Sequence, residues 1–454
     1  MLRSINPATG EQVAEFIPHT VGEIGDILEA AHAAHLVWRK TTLAARAERL
    51  RALAAQLRAR RDQLAHLAAE EMGKPVTEGR AEADKCAVLC DHFAEHGPAM
   101  LADQPVEIGA RESFVTFQPL GVILAVMPWN LPFWQVLRAG IPILLGGNAL
   151  TVKHASNVPR CALALEHLFR EAGFPHDLVR VLLTGPDGAA TALAHDRVRG
   201  LTLTGGATAG AKLAALAGSV LKKCVMELGG SDPYLILEDA DLDLAARLCA
   251  TARCLNAGQV CIAAKRFIVI ERVRAAFEEK LLAELRTWTP GDPLDPATKL
   301  GPLARPEARV ELQRQVDASI AAGAVLRLGG SLLPGPGNFY PPTLLSHVRP
   351  GMPAFDEETF GPVAAVISAR DEAEVVALAN RHVYGLGAGV FTRDLARGRR
   401  LAREELDAGA CVVNDFVKTD PRLPFGGIKQ SGYGRELGPF GLHEFVNIKN
   451  VVIR

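Results

Sequence analysis

Between Val122 and Thr204 the chain alternates short apolar runs with helix-patterned segments, and this alternation constrains the fold more than any other feature. Residues 122–126, 149–153, 179–183 and 201–204 are too short for helices and too continuously apolar for strands with one wet face. Helical spacing fills 159–171 and 189–195 between the later runs. Strands buried on both faces and joined by helices specify a parallel, doubly wound α/β sheet. A second run of the same kind follows, with strands expected at 234–237, 267–270, 363–367, 388–391 and 411–413 and long helices such as 309–322 between them.

Helices are expected ahead of the first run at 23–39, 44–71 and 80–96. Leu50, Leu53, Leu57, Leu64 and Leu67 make one stripe, and Gly73-Lys74-Pro75 ends the second helix. Residues 106–118 alternate and predict a strand pair turning near Gly109. A Gly-rich loop, 424–434, precedes a terminal strand at 446–453. The reading is two α/β units with a small strand-based appendage. A length of 454 residues agrees, since single cores stop growing near about 300 residues.

A net charge of −1 gives no reason to expect nucleic acid or an anionic membrane as partner. The most apolar stretch, 121–147, is interrupted by Pro128, Asn130, Pro132, Arg138 and Pro142 and reads as buried core, not a span. The opening Ser4-Ile5-Asn6-Pro7-Ala8-Thr9-Gly10 is turn-like and no secretory leader. Eight cysteines at irregular spacing point to reduced thiols and a cytoplasmic protein.

Cys261 lies in Asn256-Ala257-Gly258-Gln259-Val260-Cys261, a loop composition. A cysteine at such a turn can be exposed, and nearby backbone N–H groups can lower its pKa from about 8.5. The competing reading is a small buried hydrophobe. Cys86, Cys90, His92 and His96 do not make a metal site. On one helix the cysteines sit near 0° and about 40°, the histidines near about 240° and 280°, so the pairs face apart.

Gly385-Leu386-Gly387 begins like a dinucleotide fingerprint but meets Val390, and Gly205 and Gly210 with Lys212 lack the P-loop order. Residues 201–205 followed by 208–217 still read as strand, glycine turn and helix, whose N-terminus can hold a pyrophosphate. It is also an ordinary βα connection. Glu227, at the end of an apolar run and beside Gly229 and Gly230, is either a general base or a capping carboxylate. Asn130 sits in Pro128-Trp129-Asn130-Leu131-Pro132, held rigidly by prolines, where it can donate to an oxyanion.

These fragments together resemble the aldehyde dehydrogenase superfamily over essentially the whole chain. The resemblance rests on Pro128-Trp129-Asn130, Lys153, Gly205 to Gly210, Met226-Glu227-Leu228-Gly229-Gly230, Gly258-Gln259-Val260-Cys261, Glu357-Glu358-Thr359-Phe360-Gly361-Pro362 and Pro424-Phe425-Gly426-Gly427. Leu221-Lys222-Lys223-Cys224, Ala263-Ala264-Lys265-Arg266-Phe267 and Gly441-Leu442-His443-Glu444-Phe445 are similar to the bacterial succinate-semialdehyde branch.

The resemblance implies a Rossmann-like cofactor domain at 1–105 and 119–227 and an α/β catalytic domain at 228–416. It further implies oligomerisation strands at 106–118 and 437–454, and a loop, 417–436, bridging to the active site. It implies that NAD or NADP oxidises an aldehyde to an acid through a thioester on Cys261, with Asn130 at the oxyanion and Glu227 activating water. Cofactor contacts are expected from Trp129, Lys153, Ser156, Gly205, Gly206, Gly210, Leu228, Glu358 and Phe360. Many NAD-preferring relatives carry Glu where Ser156 stands, so NADP is expected to be tolerated. Gly206 replaces the usual Ser of the turn and removes a hydroxyl contact. Succinate semialdehyde is the expected substrate, with another small aldehyde, an acyl transfer to coenzyme A or phosphate, or a non-catalytic descendant as alternatives. Arg138, eight residues after Asn130, is expected to bind its carboxylate unless it is a helix-surface arginine. A second Arg of some relatives is Leu255 here, and Arg422 or Lys418 can compensate unless they are solvated loop residues, a reading that fits Lys418 better than Arg422. The resemblance implies a homodimer or homotetramer, and the apolar edges at 446–453 and 106–118 agree.

Overall fold

The computed structural model describes residues 1–454. Its first large sheet has six strands, ordered Gly432–Tyr433, Lys223–Glu227, Val198–Thr204, Val122–Met127, Ala149–His154 and Val179–Val181. The five longer strands pair in parallel, and Gly432–Tyr433 adds an antiparallel edge on Glu227 and Met226. From Val122–Met127 the chain builds outward on one side, then returns to build on the other side from Val198–Thr204. The topological switch therefore lies between those two strands, where ligands of such sheets bind at the carboxyl ends. Pro128-Trp129-Asn130 leaves one of them and Gly205-Gly206 the other.

The second sheet has seven strands, ordered Val325–Leu328, Thr343–Ser346, Val363–Ala369, Ala264–Ile270, Asp232–Ile236, Gly387–Phe391 and Ala410–Val413. All pairs are parallel except the first. Two separate hydrophobic clusters fill the space around the two sheets. Glu227 ends a strand of the first sheet and Asp232 begins one of the second, so Leu228 to Ser231 is the crossing between them. A third sheet pairs Val446–Ile453 antiparallel with Glu112–Pro119, which in turn pairs with Gln104–Pro105. Leu2–Ile5 and Gln12–Phe16 form a hairpin that the sequence pattern did not reveal.

The helical third differs from expectation in one place. Residues 44–71 are two helices, Leu43–Ala59 and Arg61–Met72, broken where Arg60 leaves helical geometry at φ −104° and ψ 13°. The Leu stripe continues through the break because both helices pack on the long helix Val76–Met100. The first helix, Val21–Trp38, starts from a reciprocal Thr20–Glu23 capping box. The 106–118 strand pair is also shorter than expected: only Gln104–Pro105 and Glu112–Pro119 are strand, with the turn around Gly109 between them.

Helix Val76–Met100 fastens separate parts of the chain to one of its sides. Glu78, Glu82 and Lys85 are spaced four and three apart, so they share that side. The Glu82 carboxylate pairs with Lys74 and accepts the backbone N–H groups of Phe133 and Trp134 at 2.8 and 2.9 Å. It thereby satisfies the open N-terminus of helix Trp134–Leu145, which has no cap of its own. The Glu78 carboxylate accepts the N–H of Asn256 at 2.8 Å. One helix thus anchors both the start of Trp134–Leu145 and the loop that holds Cys261.

Candidate active site

Cys261 sits in the loop between helix Leu242–Cys254 and strand Ala264–Ile270. Asn256, Ala257 and Gly258 all adopt left-handed backbone, with φ of 54°, 54° and 74°. A non-glycine residue there costs roughly 1 kcal/mol, so the turn must be held from outside. Glu78 holds Asn256, the Arg253 guanidinium donates to the Gly258 carbonyl at 2.5 Å, and Gln259 accepts from Ala304 N–H at 2.9 Å. A Cβ on Gly258 would stand 2.4 Å from the Gly361 backbone, which excludes any other residue.

Two cavities meet at Cys261. The larger, about 410 Å³, is bordered by Trp129, Asn130, Thr204, Gly205, Gly206, Leu228, Cys261, Arg305, Glu358 and Phe360. The smaller, about 260 Å³, is bordered by Lys74, Glu78, Glu82, Lys85, Trp134, Arg138, Leu255, Cys261, Lys418 and Phe425. Only Cys261 and Gln135 border both. The Gln135 amide is buried with neither its oxygen nor its nitrogen hydrogen-bonded.

Around the thiol, Asn130 donates one amide N–H to the Gln259 carbonyl at 2.9 Å, and its side-chain oxygen is buried without a hydrogen-bond partner. The backbone carbonyl of Asn130 accepts from the Asn256 amide at 2.8 Å. Lys265 donates to the Cys261 carbonyl at 2.7 Å. Enclosure pushes the Cys261 thiol up to about 12, against the opposing pull of Arg138 and Lys265. Burial therefore works against the lowering that the loop's backbone N–H groups can supply.

Glu227 is brought near this centre but borders neither cavity. Its two oxygens are buried without a hydrogen-bond partner, and one would lie 2.7 Å from a Cβ on Gly426. Burial holds its carboxyl well above the usual carboxylate range, although Arg138 pulls it back. The capping reading does not apply, because Glu227 bonds to no helix N-terminus.

The larger cavity fits a dinucleotide by its donor set. The N-terminus of helix Ala207–Ser219 opens beside Gly205 and Gly206. Glu358 accepts the Gly230 N–H at 3.0 Å and lies 3.7 Å from the Lys265 ammonium. A Cβ on Gly229 would meet its other oxygen at 2.6 Å. Phe360 stands edge-on to Trp129 at 5.8 Å between ring centres. Of the expected cofactor residues, Lys153, Ser156 and Gly210 do not border this cavity. Gly210 packs on Leu228 from behind. Lys153 pairs in register with Val126, at the carboxyl end of the adjacent strand. Ser156 lines a small neighbouring pocket with His154 and Thr184. Arg305 and the residues of helix Pro306–Ala321 on the cavity wall carried no motif and were missed.

The substrate cations need correction. Arg422 lies outside both cavities; its side chain is 75% exposed and is folded onto Asp420 at 2.6 Å, two residues away. Arg138 does border the smaller cavity and is no helix-surface residue: it is 2% exposed. However, its guanidinium is already paired with the buried Glu436 and donates to Thr204 at 3.4 Å. Lys418 borders the cavity, bound to Asp415 at 3.0 Å. Lys85 also borders this cavity, and the sequence reading did not single it out. The signal was there in the stripe of Glu78, Glu82 and Lys85, but such a stripe ordinarily marks a solvated helix face. The cysteine–histidine cluster splits as its angles predicted: Cys86 and Cys90 are buried, while the His92 and His96 rings lie 4.8 Å apart between centres, tilted by 50°.

The model of the aldehyde dehydrogenase family matches residues 1–451. The chain is 46% identical over 448 residues to the succinate semialdehyde dehydrogenase (NAD(P)+) of Escherichia coli strain K12, covering 99% of this chain and 97% of that one. It is 47% identical over 452 residues to the probable succinate-semialdehyde dehydrogenase (NADP+) of a Synechocystis strain, covering 100% and 99%. The crystal structure of succinic semialdehyde dehydrogenase from Streptococcus pyogenes with NADP+ superposes with a TM-score of 0.97, at 37% identity, covering both chains in full.

Proposed function

The chain belongs to the aldehyde dehydrogenase family, and from that premise we propose that it oxidises succinate semialdehyde to succinate with NAD or NADP, using Cys261, Asn130 and Glu227. The observation that carries this reading is the meeting of the two cavities at Cys261, one with dinucleotide chemistry and one with a cationic wall.

The Cys261 thiol gives up its proton to solvent, and the resulting thiolate sulfur attacks the aldehyde carbon. The developing oxyanion takes the second N–H of the Asn130 amide and the backbone N–H of Cys261, which donates to no other backbone group. Losing one such donor typically costs about 10²–10³ in rate. The nicotinamide, when bound, supplies the hydride acceptor for the tetrahedral adduct. A thioester on Cys261 remains. Glu227 then removes a proton from water, and the hydroxide equivalent releases the acid. Burial raises the Glu227 pKa and so makes its carboxylate a stronger base than a free one, which suits this step. A water-activating base also favours hydrolysis over transfer to coenzyme A or phosphate.

Trp129, Gly205, Gly206, Leu228, Glu358 and Phe360 would line the dinucleotide, with Lys153 and Glu358 toward ribose hydroxyls. Gly210 would support the turn. Ser156 carries no charge to repel a 2′-phosphate, which supports use of NADP beside NAD. Residues 1–105 and 119–227 would hold the cofactor and 228–416 the nucleophile, with 417–436 bridging. We infer a cytoplasmic homodimer or homotetramer. Its support is eight free cysteines and the exposed apolar residues Ile448, Val452 and Ile453 on the terminal strand.

The test is NAD(P)H formation with succinate semialdehyde and with butanal. A preference for the charged substrate supports the reading, and equal turnover or none contradicts it.

A further inference from the structure

We propose that Lys85 receives the far carboxylate of the substrate and is the specificity-determining cation of the smaller cavity. This rests on the proposed oxidation of succinate semialdehyde and names the contact that reading leaves open.

Four cations border that cavity, and three are engaged by carboxylates. Lys74 is paired with Glu82, Arg138 with Glu436, and Lys418 with Asp415. Lys85 alone has no carboxylate partner. Its ammonium meets the Thr419 hydroxyl and stands 4.0 Å above the Trp134 ring. An incoming carboxylate at Arg138 must compete with Glu436, itself 5% exposed, and would strand that charge without its partner. At Lys85 the same carboxylate displaces or joins a hydroxyl, and no charge is abandoned. The indole under the ammonium gives the substrate methylenes an apolar floor.

The anchoring of helix Val76–Met100 supports the assignment. Glu78 and Glu82, on the same side of the helix, bind the nucleophile loop and the start of helix Trp134–Leu145. Lys85 is therefore fixed to the same frame as Cys261. A cation held in register with the nucleophile can measure the length of a semialdehyde acid.

The experiment compares kcat/KM for succinate semialdehyde over butanal in the parent, Lys85→Met and Lys85→Arg. A charge-assisted hydrogen bond predicts that Lys85→Met lowers the ratio by about 10- to 100-fold, chiefly through KM, and that Lys85→Arg recovers part of it. A Lys85→Met ratio within twofold of the parent overturns the proposal, as does an Arg138→Gln variant that alone abolishes the preference. If Lys85→Met does not fold, Lys85→Gln, which can still reach Thr419, carries the same comparison. A parent enzyme with no preference for the charged aldehyde instead defeats the substrate reading, and the two failures are thus distinct.

Discussion

The Lys265 ammonium donates to the carbonyl oxygen of Cys261 at 2.7 Å while lying 3.7 Å from the Glu358 carboxylate. One buried cation therefore ties the nucleophile loop to the wall of the dinucleotide cavity. It both positions Cys261 and opposes the upward push of burial on its thiol.

Removing that charge should make the thiol harder to ionise. Lys265→Met is expected to slow alkylation of Cys261 by iodoacetamide about tenfold at neutral pH, the effect of a pKa moved by about one unit. The pH profile of alkylation should shift upward. An unshifted profile would leave Lys265 with a purely structural role.

Glu227 should matter after the hydride has left and not before. Glu227→Gln is expected to keep the first-turnover burst of NAD(P)H and to slow the steady state by about 10²–10⁴, the usual worth of a general base. Rapid-mixing absorbance separates the two phases. Because burial raises the Glu227 pKa, the carboxylate form gains population as pH rises above the usual carboxylate range, so deacylation should quicken with rising pH. Loss of the burst itself would count against a role in deacylation.

Charge reading by Lys85 should fade in alkali. Burial, aided by Arg138, pulls its pKa down to about 8, with Glu82, Cys86 and Asp420 acting the other way. The ammonium is present below that value and lost above it. The succinate-semialdehyde over butanal ratio should therefore fall as pH rises past about 8 in the parent. It should stay flat in Lys85→Arg. A fall of equal steepness in both would remove Lys85 as its cause.

The Arg138–Glu436 pair is 2% and 5% exposed, and removing one partner leaves the other charge buried. Glu436→Leu or Arg138→Leu is expected to cost about 3–5 kcal/mol of stability by urea unfolding. The double variant should cost less than the sum of the two. Full additivity would mean that the two side chains do not interact.

Cofactor choice should be adjustable at one position. If Ser156 faces the cofactor ribose as the family resemblance implies, Ser156→Glu introduces a carboxylate that repels a 2′-phosphate. The NADP over NAD ratio of kcat/KM is expected to drop roughly tenfold or more. An unchanged ratio would move 2′-phosphate recognition elsewhere.

Much of this molecule could be read in its residues, for identifiable reasons. Helix Pro159–Glu171 and strand Val446–Ile453 begin and end where the pattern placed them. Pro159 marks one start, and both faces of the central strands are apolar. Thr343–Ser346, after two prolines, and Val325–Leu328, before two glycines, were missed because strands of four residues leave too little periodicity. At the site, Asn130 and Cys261 were visible as motifs of a strand end and a loop, and Glu358 only through the family resemblance. Lys85 was not, because a lysine on a helix is ordinarily solvated and only tertiary packing turns it toward a cavity. Arg422 erred the other way. Nothing in a loop sequence reveals that Asp420 will hold it at the surface.

The thioester is the centre of the account, and trapping it tests the account most directly. Glu227→Gln should be mixed with succinate semialdehyde and NADP, quenched in acid, and digested for mass spectrometry. The expected result is a succinyl mass increment on the peptide that carries Cys261, appearing with the NADPH burst and absent from a Cys261→Ala control. A burst with no covalent adduct, or an adduct on any other of the eight cysteines, would contradict it.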